Sequence, residues 1–200
     1  MSDNIHKILN WFEMAKMDRY ELCIIGAGPA GYAAAMRALD YGKRVLWIEK
    51  DQLGGAGLHN GALSSKTFWE IAQDLARWRR QNQRIGLPPV DVPFAEIASE
   101  VEAVVRMRMD QLGRHMEACN RGQDPKQLDY VQGVAYLESD HRIRVEAGGK
   151  VRHYEAEYIL LATGSRPRRE PSIPIDERTI LTSDGIGNLQ SYPESLVILG

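Results

Sequence analysis

The sequence is short of sulfur. Its two cysteines, Cys23 and Cys119, sit in unrelated segments, Cys23 in a strand-like run and Cys119 in a helix-like one. Two isolated cysteines make no disulfide framework, and a reducing cytoplasm is the simplest setting. His6, His59, His115, His141 and His153 lack ligand spacing with one another or with cysteine, so no metal site is expected. Long apolar runs are missing too. Tyr158–Ala162 is among the longest and falls far short of the roughly 20 residues a bilayer span needs. The first residues carry Asp3 and Glu13 and no apolar signal core, which argues against secretion. Charge of one sign is also lacking. A formal net charge of -2 excludes a general pull toward nucleic acid or an anionic membrane. The run Arg77, Arg79, Arg80, Arg84 is local and reads as a solvated helix face.

Residues 1–17 read as an extension, in which Ile5, Leu9 and Phe12 recur at helical spacing and suit a short helix docked on the main body. Met17 directly precedes the first domain and is a second candidate start. Tyr20–Ile25 reads as a buried strand. A helix rich in small residues follows to about Tyr41, with Gly42 as its C-terminal stop. Val45–Ile48 is a second buried strand, completing a β-α-β unit with parallel strands. Further helices are expected from near Ser65 to about Gln83 and from Phe94 to Cys119, where Ile97, Val101, Val104 and Val105 share one side. Leu53–Ser64 and Asn120–Pro125 read as loops. Val131–Leu137, Arg142–Val145 and Val151–Tyr154 suit an antiparallel meander, with Gly148-Gly149 as a hairpin turn. Tyr158–Ala162 is a separate buried strand. The stretch from Arg166 to Pro193 reads as a connector. Leu196–Gly200 repeats the pattern of Leu22–Gly26, an apolar strand ending in glycine, and reads as the first strand of a second nucleotide-binding domain that the chain does not complete.

The chemistry starts at Gly26-Ala27-Gly28-Pro29-Ala30-Gly31, which joins the first strand to the first helix. Gly26 allows a tight turn, Gly28 lets a pyrophosphate approach the backbone, and Gly31 lets helix and strand pack closely. The helix N-terminus at Pro29–Gly31 offers free N–H groups and partial positive charge to a diphosphate. Glu49, at the end of the second strand, can accept hydrogen bonds from both ribose hydroxyls and disfavours a 2′-phosphate. Together these residues imply a bound dinucleotide. They leave FAD and NAD open.

A resemblance chooses between them. Gly54-Gly55-Ala56-Gly57-Leu58-His59-Asn60-Gly61-Ala62-Leu63-Ser64-Ser65-Lys66 is similar to the redox-active segment of the class I pyridine nucleotide–disulfide oxidoreductases, which include dihydrolipoamide dehydrogenase and the soluble transhydrogenase. The likeness continues in family order through Gly133-x-Ala135, Ala162-Thr163-Gly164-Ser165-Arg166-Pro167 and Thr182-Ser183-Asp184, over about residues 18–200. It implies a Rossmann-like α/β FAD-binding domain over 18–170, with a parallel sheet, crossover helices and an antiparallel meander. Residues 171–200 would be a connector and the first strand of an NAD(P)-binding domain. It implies FAD contacts at Gly26, Gly28, Pro29, Ala30, Gly31, Glu49, Lys50, Gly54, Gly55, Ala56, Ala135, Ala162, Thr163 and Gly164. Lys66 would lie beside the flavin N5 edge, where a cation stabilises the reduced, anionic ring. NAD(P)H and a homodimer are implied for the full-length protein.

One departure changes the expected chemistry. Both redox cysteines of the family pattern are absent, with Gly57 and Ala62 in their places. A dithiol relay needs two thiols close together. The expectation is therefore electron flow from a nicotinamide coenzyme through FAD directly to a small-molecule acceptor. A transhydrogenase-like exchange between two nicotinamides is one alternative; an NAD-binding dehydrogenase domain and a non-catalytic nucleotide-binding module are others. His59 stands where the family has Asn, a candidate proton donor or a solvent-facing loop histidine.

Overall fold

The computed structural model describes residues 18–89, 91–121 and 126–199. The helix expected around Ile5–Phe12 lies outside them. The described residues form two compact units: one runs up to Gly55 and adds Gly113–Gly164, the other comprises Ala56–Leu112 and Ser165 onward.

The first unit is built on β1 (Arg19–Ile25), α1 (Pro29–Asp40) and β2 (Val45–Glu49). The two strands run parallel, with Cys23 opposite Leu46 and Ile25 opposite Ile48. Small residues along α1 let it approach the sheet, and Ala35 is fully buried. The helix stops where Gly42 turns left-handed at φ 68° and its amide donates to the Leu39 carbonyl at 2.8 Å. β3 (Leu128–Gln132) extends the sheet parallel to β2, and β6 (Lys150–Leu161) flanks β1 in parallel on the other side. β5 (Arg142–Ala147) and β4 (Val134–Leu137) follow antiparallel, giving the order β3-β2-β1-β6-β5-β4.

Alternation along the strands divides the core. Ile24, Val45, Trp47 and Leu128 pack with Ala35 and Met116 on the helical side. Cys23, Leu46 and Ile48 pack with Ile143, Val145, Tyr154 and Ala156 of the meander on the other. Residues such as Ile24, Leu46 and Ile48, each 0–1% exposed, contribute about 1.5–3 kcal/mol apiece. Tyr20 shares a side with Cys23 because the amides of Glu21 and Leu22 both donate to the Arg44 carbonyl, a bulge that shifts the strand's phase.

Four expectations change. Val131–Leu137 is two strands, because the chain bends at Gly133, whose amide makes the last bond to β2 at the Glu49 carbonyl (2.8 Å), and changes partner from β2 to β5. Val151–Tyr154 and Tyr158–Ala162 belong to one strand, β6, whose first half pairs with β5 and whose second half pairs with β1. Within it, Tyr158 is 66% exposed, against the buried strand expected there. Leu196–Leu199 form no strand and stand exposed. The hairpin at Gly148-Gly149 matches the sequence reading, with φ values of 55° and 76°.

Among the helices, α2 (Gly55–His59) interrupts the loop expected over Leu53–Ser64, and α3 (Ala62–Arg84) begins three residues before Ser65. α4 spans Phe94–Cys119, the range read from its periodicity, and buries Ile97, Val101, Val105 and Leu112. Phe94 stacks on Phe68 at 6.2 Å and meets Tyr192 edge-on at 5.3 Å. The connector is ordered by its own carboxylates. Asp176 Oδ1 accepts the amides of Arg178, Thr179 and Ile180, which hold its carboxyl below the usual range.

Candidate dinucleotide site

The parallel strands β1, β2, β3 and β6 end at one edge of the sheet, with Ile25, Glu49, Gln132 and Leu161. Ligands of open α/β sheets bind at this carboxyl edge. Gly26 leaves β1 with φ 109°, and a Cβ there would fall onto the Ala162 carbonyl group at the end of β6. A Cβ at Gly31 would fall onto the Gly26 carbonyl, to which the Trp47 indole N–H also donates at 3.0 Å. Both positions therefore demand glycine for backbone packing. Gly28 differs. It is the N-cap of α1, and a Cβ there meets nothing within 4 Å. The space beside Gly28 is open, with Pro29 and Ala30 exposed next to it. No side chain caps the N-terminus of α1, and no acid occupies its first turn. The positive end of the helix is left for an outside anion.

Glu49 is buried at 7% exposure. Its Oε2 accepts the Ala27 amide at 2.5 Å and its Oε1 accepts the Asp51 amide at 2.8 Å. The carboxylate thus fixes the glycine loop, and the second lone pair of each oxygen remains for hydroxyl donors. Burial, and then the Glu49 charge, push the Tyr130 hydroxyl up to about 12. Lys50 is exposed, 4.0 Å from Asp51.

The second glycine segment begins on the first. Gly54 donates to the Ala27 carbonyl at 2.8 Å, and a Cβ at Gly55 would lie 3.0 Å from Gly28 Cα. Gly133 is wedged under Glu146 and Val145, with Ala135 half-buried on β4 just beyond. Ala162 donates to the Ile25 carbonyl at 2.8 Å, followed by exposed Thr163 and by Gly164 at φ 71°. Gly26–Gly31, Glu49–Gly55, Gly133–Ala135 and Ala162–Gly164 therefore gather at one edge of the first unit. Trp47 and Gln132, whose side-chain amide holds the Asp51 carbonyl at 3.0 Å, also position the loops. The sequence reading missed both; the available signal was that a buried indole N–H needs an acceptor.

In the second unit, Ala56 opens the helical turn that ends with its carbonyl accepting the Asn60 amide at 3.2 Å. A Cβ at Gly61 would sit 3.7 Å from Gly57 Cα, so the turn folds the Gly57 position back toward the start of α3 and Ala62. Neither position carries sulfur. Lys66 is exposed on α3, and no ion pair engages it among the described residues. His59 is half-buried at the end of α2, on a helix and not the loop expected for it. The two thiols lie elsewhere. Burial pushes the Cys23 thiol up to about 12, and Cys119, 3.9 Å from Met36 Sδ, is raised by burial and then by Asp40. No group of three or more metal-ligating side chains occurs among the described residues. No described helix is long and apolar enough to cross a membrane.

The fold is that of the α/β Rossmann-like class, with a candidate dinucleotide site at its carboxyl edge. The family model described as "Pyridine nucleotide-disulphide oxidoreductase" matches residues 20–200, and the chain belongs to this family. It is 34% identical to a dihydrolipoyl dehydrogenase of Bacillus subtilis over 182 residues, covering 90% of this chain and 38% of that protein. It is also 34% identical to a soluble pyridine nucleotide transhydrogenase of Hahella chejuensis, covering 91% and 38%. The chain thus spans under two fifths of the length of these relatives. Among solved structures, LpdA from Mycobacterium tuberculosis superposes with a TM-score of 0.72 at 24% identity, over 88% of this chain and 38% of that one. This likeness shows a shared Rossmann-like fold.

Proposed function

We propose that this chain is the FAD-binding part of an NAD(P)H-dependent oxidoreductase that delivers electrons to its acceptor without a redox disulfide. The observation that carries the reading is a glycine cradle at Gly26–Gly31 in a chain whose family redox segment carries Gly57 and Ala62 in place of both thiols. When bound, FAD supplies two-electron chemistry between a nicotinamide coenzyme and an acceptor. The chain's residues have simpler tasks. The open backbone at Gly28 and the amides of Ala30 and Gly31 hold the diphosphate, with Pro29 setting the helix start. Glu49 orients the ribose. Lys50, Gly54, Gly55, Ala56, Ala135, Ala162, Thr163 and Gly164 complete the pocket. Lys66 supplies a cation that stabilises negative charge at the flavin N5 edge. In the full-length protein, as a homodimer, the acceptor is a quinone, a dye or oxygen.

The transhydrogenase relative favours a second reading, in which the acceptor is another nicotinamide. Both readings predict turnover that survives a thiol-blocking reagent. The test is NAD(P)H oxidation by the full-length protein before and after alkylation. Unchanged rates support the thiol-free path, and complete inhibition overturns it.

A further inference from the structure

The end of α3 combines charge and exposed apolar surface in a way the dinucleotide site does not use. No acidic residue occurs between Asp74 and Asp91, while Arg77, Arg79, Arg80 and Arg84 all fall there. Arg77 pairs with Asp74 at 3.4 Å. Arg79, Arg80 and Arg84 are exposed, and no carboxylate engages them among the described residues. The helix dipole favours Arg84 in the last turn. It gives no reason for the apolar residues beside it. Ile85 is 71% exposed, Leu87 52% and Trp78 40%.

The backbone holds this tip rigidly. Gly86 adopts φ 72°, and the Leu87 amide donates to the Asn82 carbonyl at 2.9 Å, closing the helix by a Schellman turn. Such turns usually lay the residue after the glycine on an apolar side chain of the last helical turn. Here that turn offers Gln81, Asn82 and Gln83 in place of an apolar partner, and Leu87 is left 52% exposed. Pro88 and Pro89 then stiffen the exit.

We infer that this tip is a peripheral docking site for an anionic lipid surface, with Arg79, Arg80 and Arg84 on the headgroups and Ile85, Leu87 and Trp78 at the acyl boundary. Charge complementarity selects an anionic partner. The apolar tip selects a bilayer over a nucleic acid, because only the bilayer gives Ile85 and Leu87 an apolar medium. A self-complementary contact with a second copy would set arginines against arginines.

The test is co-sedimentation of the whole chain with vesicles of phosphatidylserine and phosphatidylcholine in equal parts, against pure phosphatidylcholine. Binding is expected only to the anionic vesicles and falls as salt rises. Arg79→Gln, Arg80→Gln and Arg84→Gln each weaken it about fivefold, so the triple variant loses roughly a hundredfold. Ile85→Ser with Leu87→Ser weakens it about tenfold. Equal binding to both vesicles, no binding, or a triple variant that binds like the parent overturns the proposal. So does equally tight binding to duplex DNA that ignores the Ile85 and Leu87 changes. A measurement that needs no arginine variant is quenching of tryptophan emission by bromolipid. Trp78→Phe is expected to remove most of it, and undiminished quenching counts against the proposal.

Discussion

The two glycine-rich segments began with similar demands and ended differently. Gly26–Gly31 keeps every backbone feature a dinucleotide needs: a left-handed turn, an open position at Gly28 and an uncapped helix end. The segment that starts at Gly54 keeps its backbone contact with the first, through Ala27 and Gly28, yet carries Gly57 and Ala62 where the family pattern has cysteines. On the proposed reading, cofactor binding and thiol relay are separable. Binding is written into main-chain geometry, which many positions hold jointly. A relay would rest on two side chains, and positions 57 and 62 carry no sulfur.

The largest expected effect tests the main-chain half. Gly31→Val puts branched carbon into the Gly26 carbonyl and the Trp47 indole. It should destabilise the fold by about 3 kcal/mol or more, read by urea unfolding, with FAD retention lost. Glu49→Ala comes next. It leaves the Ala27 and Asp51 amides without their acceptor, and a loss of about 2–4 kcal/mol is expected by the same assay. Gly28→Ala sharpens the comparison. Nothing lies within 4 Å of the added methyl, so stability should change by no more than about 1 kcal/mol, since an N-cap tolerates alanine at that level. FAD affinity, measured by fluorescence quenching, should nonetheless fall at least about tenfold, because the methyl takes the space of a diphosphate oxygen. A Gly28→Ala chain that binds as the parent does would break the assignment of that open space.

The smallest effect concerns the thiols. Gly57→Cys with Ala62→Cys should leave FAD retention unchanged and stability within about 0.5 kcal/mol. Thiol titration of the folded parent at pH 8 should label Cys119 and spare Cys23, whose burial keeps it protonated. The sign for stability follows. Cys23 is raised from its ordinary 9.0 to about 12 when folded. Its contribution is complete below pH 9 and declines as pH rises from 9 toward 12, where only the unfolded chain ionises freely. Thermal unfolding across that window checks it.

The sequence revealed what local patterns encode. The β-α-β unit, the full extent of α4 and the Gly148-Gly149 hairpin were all readable, because periodicity and turn residues act within a few positions. What escaped depended on distant partners. The break at Gly133 comes from a change of partner, from β2 along β3 to β5 along β4, and the unity of β6 comes from having β5 along one half and β1 along the other. Glu155 and Glu157 interrupted its apolar pattern and disguised one strand as two. Leu196–Leu199 have strand-like residues, but a strand also needs a neighbour, and none pairs with them among the described residues. At the site, the glycines and Glu49 were visible as a fingerprint. The roles of Trp47 and Gln132 in holding the loops were not, since both act on backbone carbonyls well separated in sequence.

The most direct test is to mix the purified chain with FAD, desalt it and record the visible spectrum, beside a Gly28→Val variant. The account predicts a retained, structured flavin band in the parent and a colourless variant that is still folded by circular dichroism. A colourless parent that instead retains NAD would contradict it.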